Sequence, residues 1–513
     1  MRFSEESMKN NICVKLNLKE FSKIETLFGS ELVYEKDNIS VAVLGNVYSL
    51  DGKRIDAQKV YELYKENSSE VNTYLNGVYT AMIFDFNVKK AYVFQDYMGF
   101  NQAIYYYNDN GVLYITNSLK AIVRNVNRRW EYNLKNVDTF IKVGFCPNSG
   151  TLIDGINKIH GKHALYISGG SVKLKKIKRV KAKKERVTEE DYFNVVKKQC
   201  IDCAHADSQG STISSGYDSN FILYNLTQNL DMNIDTFCIG GTIGRNEVPD
   251  SKEICDYYDN VTFHSKLVNG SSFSMLPEII YVLEGAVYEG GIFLQYELAK
   301  LVAASGCKNI MLGDCADQVL NFQMYHPVYE ARDRFKYTWK MLPGRIFKGL
   351  HFRPFRDVYS MASYIVSKKN GIMMNYFDVN PEYVYLRKDI YRVAENSIKI
   401  GERQKEFHKK VIHNKLPKEV LDHIKKVPGA TELKELFIGE VTFEEVEAFC
   451  KKSEFYKEKK FADKFYGIDN LVKIVYLEVF RKMFLENKEK YLTDEFGGFD
   501  ITEILPSLKG ANK

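Results

Sequence analysis

The chain has 513 residues, of which 45% are hydrophobic and 27% are charged, and its formal net charge is +6. This length exceeds what one hydrophobic core usually serves, so it predicts at least two domains. The net charge is small for such a size and no basic patch interleaved with aromatic residues occurs, which argues against nucleic-acid binding.

Targeting and redox features favour a cytoplasmic protein. The N-terminus lacks a signal-peptide pattern, and no run of roughly 18 apolar residues predicts a membrane span. The nine cysteines are scattered, and their odd number favours reduced thiols. The close pair Cys200 and Cys203 lies in a predicted helix without a second pair or histidines, so we expect core packing rather than a zinc site.

Short strands and turns dominate residues 40–120. Apolar residues alternate in runs such as Ser40–Leu44 and Ala91–Phe94, and turn residues such as Asn108–Gly111 separate these runs. This pattern predicts an antiparallel β region with hairpins. The basic stretch Lys173–Arg186 then predicts a solvated linker between domains; a docking strip for an acidic substrate or leader peptide is the alternative interpretation.

Helices and single strands alternate from residue 188 to residue 312. Thr188 and Asp191 resemble a helix-capping box, and apolar residues then recur at helical spacing. The runs Ile234–Ile239 and Val261–His264 predict strands that each lead into a helix. Such a βαβ pattern predicts a parallel sheet, and the C-terminal third favours helices.

The segment 211–219 combines a strand, a turn of small residues and the start of a helix. A strand stub at Thr212–Ile213 leads into Ser214–Gly216, and a helical pattern spans Asn220–Leu226. A tight turn that opens a helix presents backbone N–H groups to an anion, and the acid Asp218 can hold Mg2+. We therefore predict a pyrophosphate-binding loop that has neither Walker A spacing nor a G-x-G-x-x-G fingerprint.

A second motif follows a predicted buried strand. Ile310–Leu312 form a short apolar run, and Gly313, Asp314 and Asp317 come after its C-terminal end. Open α/β sheets bind ligands at this edge. Two acids placed there are costly unless they are solvated, paired or bound to a metal, so we expect a functional site.

The two motifs together resemble those of the asparagine-synthetase-like family, whose synthetase domain carries S-G-G-x-D-S and later G-D/E-G-A/S-D-E. Upstream segments resemble the family's glutaminase-domain motifs as well. These segments are Gly45–Tyr48, Leu75–Asp85, Gln95–Phe100 and Ile115–Ile122. The resemblance extends over residues 40–435.

The resemblance implies an α/β fold with two domains. Residues 1–180 would form a glutaminase-type (Ntn-type) antiparallel β-sandwich with helices. Residues 188–513 would form a doubly wound parallel α/β sheet with a helical C-terminal part. Members of the family use ATP and Mg2+ to adenylate a carboxylate, release pyrophosphate, and capture the activated acyl group with an amine.

The resemblance also assigns roles to individual residues of this chain. The expected ATP-binding positions are Thr212, Ile213, Ser214, Ser215, Gly216, Asp218, Ser219, Ile239, Leu312 and Gly313. Asp218 and Asp317 are the expected Mg2+ ligands. Asp314 is the candidate general base for the amine, and Glu395 is a candidate acid close to it.

A cation from the C-terminal part completes the expected site. Lys426 lies in Leu421–Gly429, which resembles the family's R-x-K-x-G segment and follows Leu416–Pro417 at the matching distance. The resemblance makes Lys426 the cation that stabilises the tetrahedral oxyanion and the leaving phosphate. Lys425, one position earlier, is the alternative.

Several positions depart from the family pattern. Ser215 replaces the first loop glycine, where close phosphate approach favours a residue without a side chain, and Gln318 replaces a glutamate. Glutamine-dependent members use an N-terminal cysteine, whereas residue 2 here is Arg2 and the nearest cysteine, Cys13, lacks the C-G-I continuation. We therefore expect no glutamine hydrolysis unless processing exposes Cys13.

Other residues of the glutaminase pattern persist in part. Asn76, Gly77 and Asp96 are retained, and Gln95 replaces an arginine. Residues of these types equally serve turns and folding. The amine must then come from free ammonia, from a separate amine substrate, or from the molecule that carries the carboxylate.

Loss of the cysteine is shared by β-lactam synthetases and lasso-peptide cyclases, which join a carboxylate and an amine of one substrate. We therefore predict an ATP-dependent ligase that forms an amide within one molecule, such as a lasso-peptide macrolactam or another lactam, in natural-product biosynthesis. The alternatives are an ammonia-dependent asparagine-synthetase-like ligase and a non-catalytic, degenerate scaffold. The expected partner is a small-molecule or peptide substrate, and a precursor peptide, a leader-binding partner and a homodimer stay open.

Overall fold

The computed structural model describes most of the chain. The described residues are 11–97, 99–146, 149–177, 185–206, 208–241, 246–268, 273–320, 358–397, 405–425, 443–456, 467–493 and 495–505. Within these stretches, every helix is too short or too polar to cross a membrane.

Strands make up most of the N-terminal part. They are β1 (Cys13–Asn17), β2 (Ile24–Phe28), β3 (Val33–Lys36), β4 (Ile39–Tyr48), β5 (Asn76–Asp85), β6 (Lys90–Gln95), β7 (Tyr105–Asp109), β8 (Val112–Thr116), β9 (Asn157–Lys158), β10 (His163–Ser168) and β11 (Ser171–Lys176). The helices of this part are α1 (Ala57–Asn67), α2 (Leu119–Asn125) and α3 (Leu134–Val143).

These strands form two antiparallel sheets that pack face to face. One sheet has the order β2-β1-β8-β7-β9, and the other has the order β11-β10-β6-β5-β4-β3. Because side chains alternate between the faces of a strand, Val14, Leu44 and Ile115 share one buried core between the sheets. Val41 points the other way and packs with Val60 of α1. The predicted antiparallel sandwich with helices is confirmed.

The C-terminal part alternates strands and helices and then becomes helical. Its strands are β12 (Gly210–Thr212), β13 (Ile234–Gly241), β14 (Val261–Val268), β15 (Asn309–Leu312) and β16 (Asn380–Tyr383). Its first helices are α4 (Glu189–Cys203), α5 (Tyr217–Asn229), α6 (Val248–Asp256), α7 (Leu276–Leu283), α8 (Ile292–Ala304) and α9 (Ala316–Leu320). The later helices are α10 (Val358–Tyr376), α11 (Lys388–Ser397), α12 (Glu406–Lys415), α13 (Lys418–His423), α14 (Phe443–Lys451), α15 (Gly467–Phe480) and α16 (Lys488–Tyr491).

All the strands of this second part run parallel, in the order β14-β13-β12-β15-β16. Ile310, Met311 and Leu312 of β15 are fully buried, as expected of a strand inside a parallel sheet that helices cover. The predicted parallel α/β sheet with a helical C-terminal part is confirmed.

Helix α4 begins as its sequence predicted. Asp191 N–H donates to Thr188 Oγ1 (3.1 Å), and Thr188 N–H donates to the Asp191 carboxylate (2.8 Å), so the two residues form a capping box. Cys200 and Cys203 lie on the buried side of this helix and pack in the core, which confirms that interpretation of the pair.

Helix α5 begins earlier than predicted. It starts at Tyr217 rather than Asn220, so Asp218 and Ser219 lie in its first turn. Backbone N–H groups in a first helical turn have no partner within the helix, which lets side chains and ligands bind there. The strand before it, β12, ends at Thr212, one residue earlier than expected.

Two further predictions were wrong. Strand β14 extends to Val268, so His264 lies in its middle, where Nε2 is 2.8 Å from Asp235 Oδ1 on β13. The long neighbour β13 supplies backbone partners beyond the apolar run, and pairing therefore continues. Lys173–Lys176 belong to β11 rather than to a linker, and residues 178–184 lie outside the described chain.

Polar side chains join the two parts. Tyr48 Oη on β4 donates to Glu382 Oε1 on β16 (2.6 Å), and the Lys388 N–H donates to Asn76 Oδ1 on β5 (2.9 Å). Burying such groups is costly unless they are bonded, so these contacts favour one arrangement of the β-sandwich against the parallel sheet.

Candidate functional site

The predicted pyrophosphate-binding loop lies between β12 and α5. Serine hydroxyls hold its backbone, since the Ser214 N–H donates to Ser219 Oγ (3.2 Å) and the Gly216 N–H donates to Ser214 Oγ (3.1 Å). The Ser215 N–H donates to Glu247 Oε2 (3.3 Å). These three N–H groups therefore donate within the protein, and they lie just before a long helix, whose N-terminus is a place where anions bind.

The residues predicted to border the nucleotide lie on neighbouring parallel strands. Thr212 ends β12, Leu312 ends β15, and Ile239 lies near the end of β13. Ile213 continues from β12, and its N–H donates to the carbonyl of Phe237 (3.0 Å). The carboxyl ends of adjacent parallel strands share one edge of the sheet, so the fold brings these residues together there.

Gly313 brings the two sequence motifs into contact. A Cβ atom at this position would lie 3.1 Å from the backbone nitrogen of Ser219 and 3.2 Å from its Cα. That spacing is tighter than ordinary van der Waals contact, and both atoms belong to the backbone of Ser219. A glycine after β15 therefore allows the second motif to reach the first turn of α5.

Asp218 forms an ion pair in the first turn of α5. Its carboxylate accepts hydrogen bonds from the ammonium of Lys405, and its Oδ1 lies 3.0 Å from His408 Nε2. Burial raises the pKa of the Asp218 carboxyl, but Lys405 and His408 together outweigh burial and lower the pKa to about 2. The carboxylate is therefore charged at neutral pH.

Asp314 lies directly after Gly313 with a second acid and a cation near it. Asn370 Nδ2 donates to Asp314 Oδ2 (2.7 Å), and Lys369 forms an ion pair with Glu289. Burial raises the pKa of the Asp314 carboxyl; Lys369 and Asn370 oppose this shift, while Asp218 and Glu289 add to it. A raised pKa makes a carboxylate a better general base near neutral pH.

The magnesium site stays a prediction. Among the described residues, no group of three His, Cys, Asp or Glu side chains is arranged to hold a metal ion. Asp218 is bonded to Lys405 and His408, while Asp317 lies in α9 with a side chain outside the description. Because Mg2+ prefers several oxygen ligands, one described carboxylate does not establish a site.

Two predicted catalytic residues also lie outside what the structure describes. Lys426 falls in the stretch 426–442, and Glu395 lies in α11 with an undescribed side chain. The alternative cation, Lys425, is described: its N–H donates to the Ser215 carbonyl (2.9 Å), and its Nζ lies 2.5 Å from Asp250 Oδ2 on α6. The segment that leads to Lys426 therefore reaches the pyrophosphate loop.

The sequence analysis missed five residues whose side chains contact the predicted acids or their neighbours. They are Glu289, Lys369, Asn370, Lys405 and His408. A signal for two of them exists in α10, where consecutive lysines and an asparagine at 368–370 interrupt an otherwise apolar helical pattern. Polar residues on a buried helix face need partners, which makes them candidate site residues.

The cysteine nearest the N-terminus is buried rather than exposed to a substrate. Cys13 lies in β1 between β2 and β8, and its side chain is fully buried. Burial raises the pKa of the Cys13 thiol to about 12, so the thiolate is scarce at neutral pH. The expectation that the β-sandwich releases no ammonia stays a prediction.

Two family models match the chain. The asparagine synthase model matches residues 202–372, and the glutamine amidotransferase domain model matches residues 49–178. A curated relative, "Putative asparagine synthetase (glutamine-hydrolyzing) 2" of Methanocaldococcus jannaschii, is 21% identical over 311 residues. This match covers 58% of the chain and 59% of the relative, so the chain spans less than two thirds of that protein.

Solved structures resemble the chain only distantly. The U34-tRNA thiolase NcsA of Methanococcus maripaludis is 12% identical, with 49% of this chain and 89% of that one covered and a TM-score of 0.23. The glutamine phosphoribosylpyrophosphate amidotransferase of B. subtilis is 9% identical, with coverages of 50% and 75% and a TM-score of 0.19. Scores this low do not establish a shared fold.

The resemblance to the asparagine-synthetase-like family therefore rests on the two model matches and on the motifs. The motifs fall within or beside the matched segments. The synthase match contains both the pyrophosphate loop and the Asp314 motif. The amidotransferase match contains Asn76 and Asp96. The chain therefore carries a glutamine-amidotransferase-type segment followed by an asparagine-synthase-type segment, and its motifs are similar to those of the asparagine-synthetase-like family.

Proposed function

We propose that the protein is an ATP-dependent ligase that adenylates a substrate carboxylate and joins the acyl group to an amine, with AMP and pyrophosphate as products. The observation that carries this proposal is the meeting of the Ser214–Gly216 loop and Asp314 at one edge of the parallel sheet, through the close contact of Gly313 with Ser219. The match of residues 202–372 to the asparagine synthase model supports it.

The first step is the attack of a carboxylate oxygen on the α-phosphorus of ATP. The bond between that phosphorus and the bridging oxygen breaks, and pyrophosphate leaves. Backbone N–H groups and hydroxyls of the loop, from Ser214 to Ser219, would bind the negative charge of the phosphates. Mg2+, when bound, neutralises phosphate charge.

The second step joins the amine to the activated acyl group. The amine nitrogen attacks the acyl carbon, the bond from that carbon to the AMP oxygen breaks, and the nitrogen gives up a proton. Asp314 is the proposed acceptor of this proton, since it lies after Gly313 and its pKa is raised. Glu395 remains the second candidate acid, and Lys426 the proposed cation for the oxyanion.

We further propose that the amine and the carboxylate belong to one molecule, so that the product is a lactam such as a lasso-peptide macrolactam. The buried position of Cys13 supports this proposal, because a buried thiol with a raised pKa is poorly suited to release ammonia from glutamine. A precursor or leader peptide, a homodimer and a cytoplasmic location fit the same proposal. A ligase that takes free ammonia is the second candidate, and the same observation fits it.

Release of pyrophosphate from ATP tests the proposal. Candidate carboxylates, including linear peptides with a free amine, are supplied to wild-type protein and to the Asp317→Ala variant, with Asp378→Ala as a control at an exposed ion pair with Lys308. We expect release by the wild type and the control and its loss in Asp317→Ala. Equal background release by all three proteins would contradict the enzymatic function and favour a degenerate scaffold.

Ammonium separates the two candidates. With an intramolecular substrate, we expect amide formation to be independent of added ammonium chloride and the product to be cyclic by mass. A product that gains one nitrogen from ammonium would instead establish the ammonia-dependent ligase.

A further inference from the structure

One acidic side chain contacts the pyrophosphate loop itself. Glu247 immediately precedes α6, and its Oε2 accepts a hydrogen bond from the Ser215 N–H at 3.3 Å. A carboxylate is an anion with oxygen acceptors, as a phosphate is. Glu247 therefore supplies to the loop the same kind of group that a nucleotide would supply.

The other donors of the loop are held differently. The N–H groups of Ser214 and Gly216 donate to the neutral hydroxyls of Ser219 and Ser214. Ser215, at 1% exposure, additionally has a buried hydroxyl that finds no hydrogen-bond partner among the described residues. Buried polar groups usually have partners, so Ser215 offers an unused donor beside the one that contacts Glu247.

We propose that Ser215 forms a phosphate subsite of the loop and that the Glu247 carboxylate is its internal occupant, which the phosphate of a nucleotide displaces. This inference rests on the proposed nucleotide-dependent function. It also explains how a serine is accommodated where the family has glycine, because its hydroxyl becomes a ligand of the phosphate rather than an obstacle to it.

Displacement of Glu247 would act on α6 and on the C-terminal segment. The Ser215 carbonyl accepts from the Lys425 N–H (2.9 Å), and Lys425 Nζ pairs with Asp250 of α6 (2.5 Å). The contacts thus form a ring: Ser215 contacts Glu247 and Lys425, and Lys425 contacts Asp250 on the helix that follows Glu247. When phosphate takes the Ser215 N–H, the start of α6 is released on one side while Lys425 still contacts the loop.

Nucleotide binding tests the inference without knowledge of the substrate. Calorimetry with ATP and with inorganic pyrophosphate is carried out on wild-type protein and on Glu247→Gln. Removing the competing charge should tighten pyrophosphate binding by about three- to tenfold, the size expected for losing one charge-assisted hydrogen bond. Glu247→Asp, which keeps the charge on a shorter side chain, should fall between the two.

Glu253→Gln is the matched control, since it removes the same charge from an exposed position on the same helix. Its affinity for pyrophosphate should stay within about twofold of wild type, because an exposed charge is screened by salt. Hydrogen exchange supplies a second measurement: pyrophosphate should speed exchange at the start of α6 in wild type and change it less in Glu247→Gln.

The outcomes separate this inference from the function on which it rests. Weaker or unchanged binding by Glu247→Gln, or an equal gain in Glu253→Gln, would overturn the displacement of Glu247 while leaving nucleotide binding intact. Absence of ATP and pyrophosphate binding in every folded variant would overturn the proposed function as well.

Discussion

The β-sandwich and the parallel sheet use the same kind of residue in opposite ways. In the β-sandwich, Asn76 Oδ1 accepts from the N–H groups of Gly77 and Lys388, and the Asp96 carboxylate accepts from those of Phe100 and Asn101. The side-chain oxygens of both residues therefore accept hydrogen bonds from backbone N–H groups. In the parallel sheet, Asp218 and Asp314 pair instead with side chains from helices far along the chain.

The difference lies in what surrounds each carboxylate. A ring of backbone donors holds Asp96 within its own turn, which stabilises a local structure. Burial raises the pKa of both carboxyls, and backbone donors oppose this shift at Asp96. Asp314 instead faces a second acid, a lysine and an asparagine, and nearby carboxylates add to its shift. A motif residue therefore indicates a site only when its partners leave it able to act on a ligand.

The largest effect should come from exchanging one acid for its amide in each region. In Asp314→Asn, we expect amide formation to fall about 10²–10⁴-fold, since a general base is lost, with the unfolding free energy nearly unchanged. In Asp96→Asn, we expect the rate per folded molecule to persist and stability to fall by about 1–3 kcal/mol. Turnover assays and urea unfolding measure both; the reverse pattern would contradict the assignment of roles.

The second-largest effect should be a loss of unfolding free energy when the ion pair of Asp218 is broken. Lys405→Met removes the ammonium from a buried carboxylate, which we expect to destabilise the fold by about 3 kcal/mol. Lys252→Met, which breaks an exposed pair with Asp256, should cost less than about 1 kcal/mol. Denaturant unfolding compares the two variants. Equal losses of unfolding free energy would show that burial of the pair between Lys405 and Asp218 does not strengthen its contribution to stability.

Acid should weaken the same region in a defined pH window. The pKa of Asp218 falls from an ordinary 3.8 to about 2 in the folded protein, so its contribution is complete above about pH 4 and is lost as the pH falls through 2. This contribution is about 2 kcal/mol. Asp218→Asn should lack this part of the acid dependence in urea unfolding between pH 2 and pH 5; an unchanged profile would argue against the pairing.

The smallest effect should come from the cysteine of the β-sandwich. Cys13→Ala removes a buried thiol, so we expect a loss of about 1 kcal/mol in stability and no change in amide formation. Glutamine hydrolysis should be absent from wild type and variant alike. Hydrolysis that disappears in Cys13→Ala would show that this region is catalytic after all.

Much of the fold followed from the local pattern of residues. Alternating runs around Ser40–Leu44 predicted the antiparallel sheets, and the single apolar runs at Ile234–Ile239 and Ile310–Leu312 predicted parallel strands. Both signals are local because the side chains of a strand alternate between its faces. The ends of elements were less accurate, as at His264, since pairing with a neighbouring strand decides where a strand stops.

The candidate site divides in the same way. Its loop and the Asp314 motif are short segments whose residue types and spacing are visible in the chain. The partners of their acids come from helices that are distant in sequence, as Lys405 and His408 do for Asp218 and Asn370 does for Asp314. No spacing rule connects such residues, because only packing of the helices against the sheet brings them close.

The amino-acid sequence by itself determined the two-part α/β architecture, the turn of small residues between β12 and α5, and the position of Asp314 after a buried strand. The tertiary structure alone decided that Cys13 is buried, that Asn76 and Asp96 bind backbone, and that Glu247 contacts the loop. Local periodicity and turn chemistry act over a few residues, whereas burial and hydrogen-bond partners depend on chain segments brought together by folding.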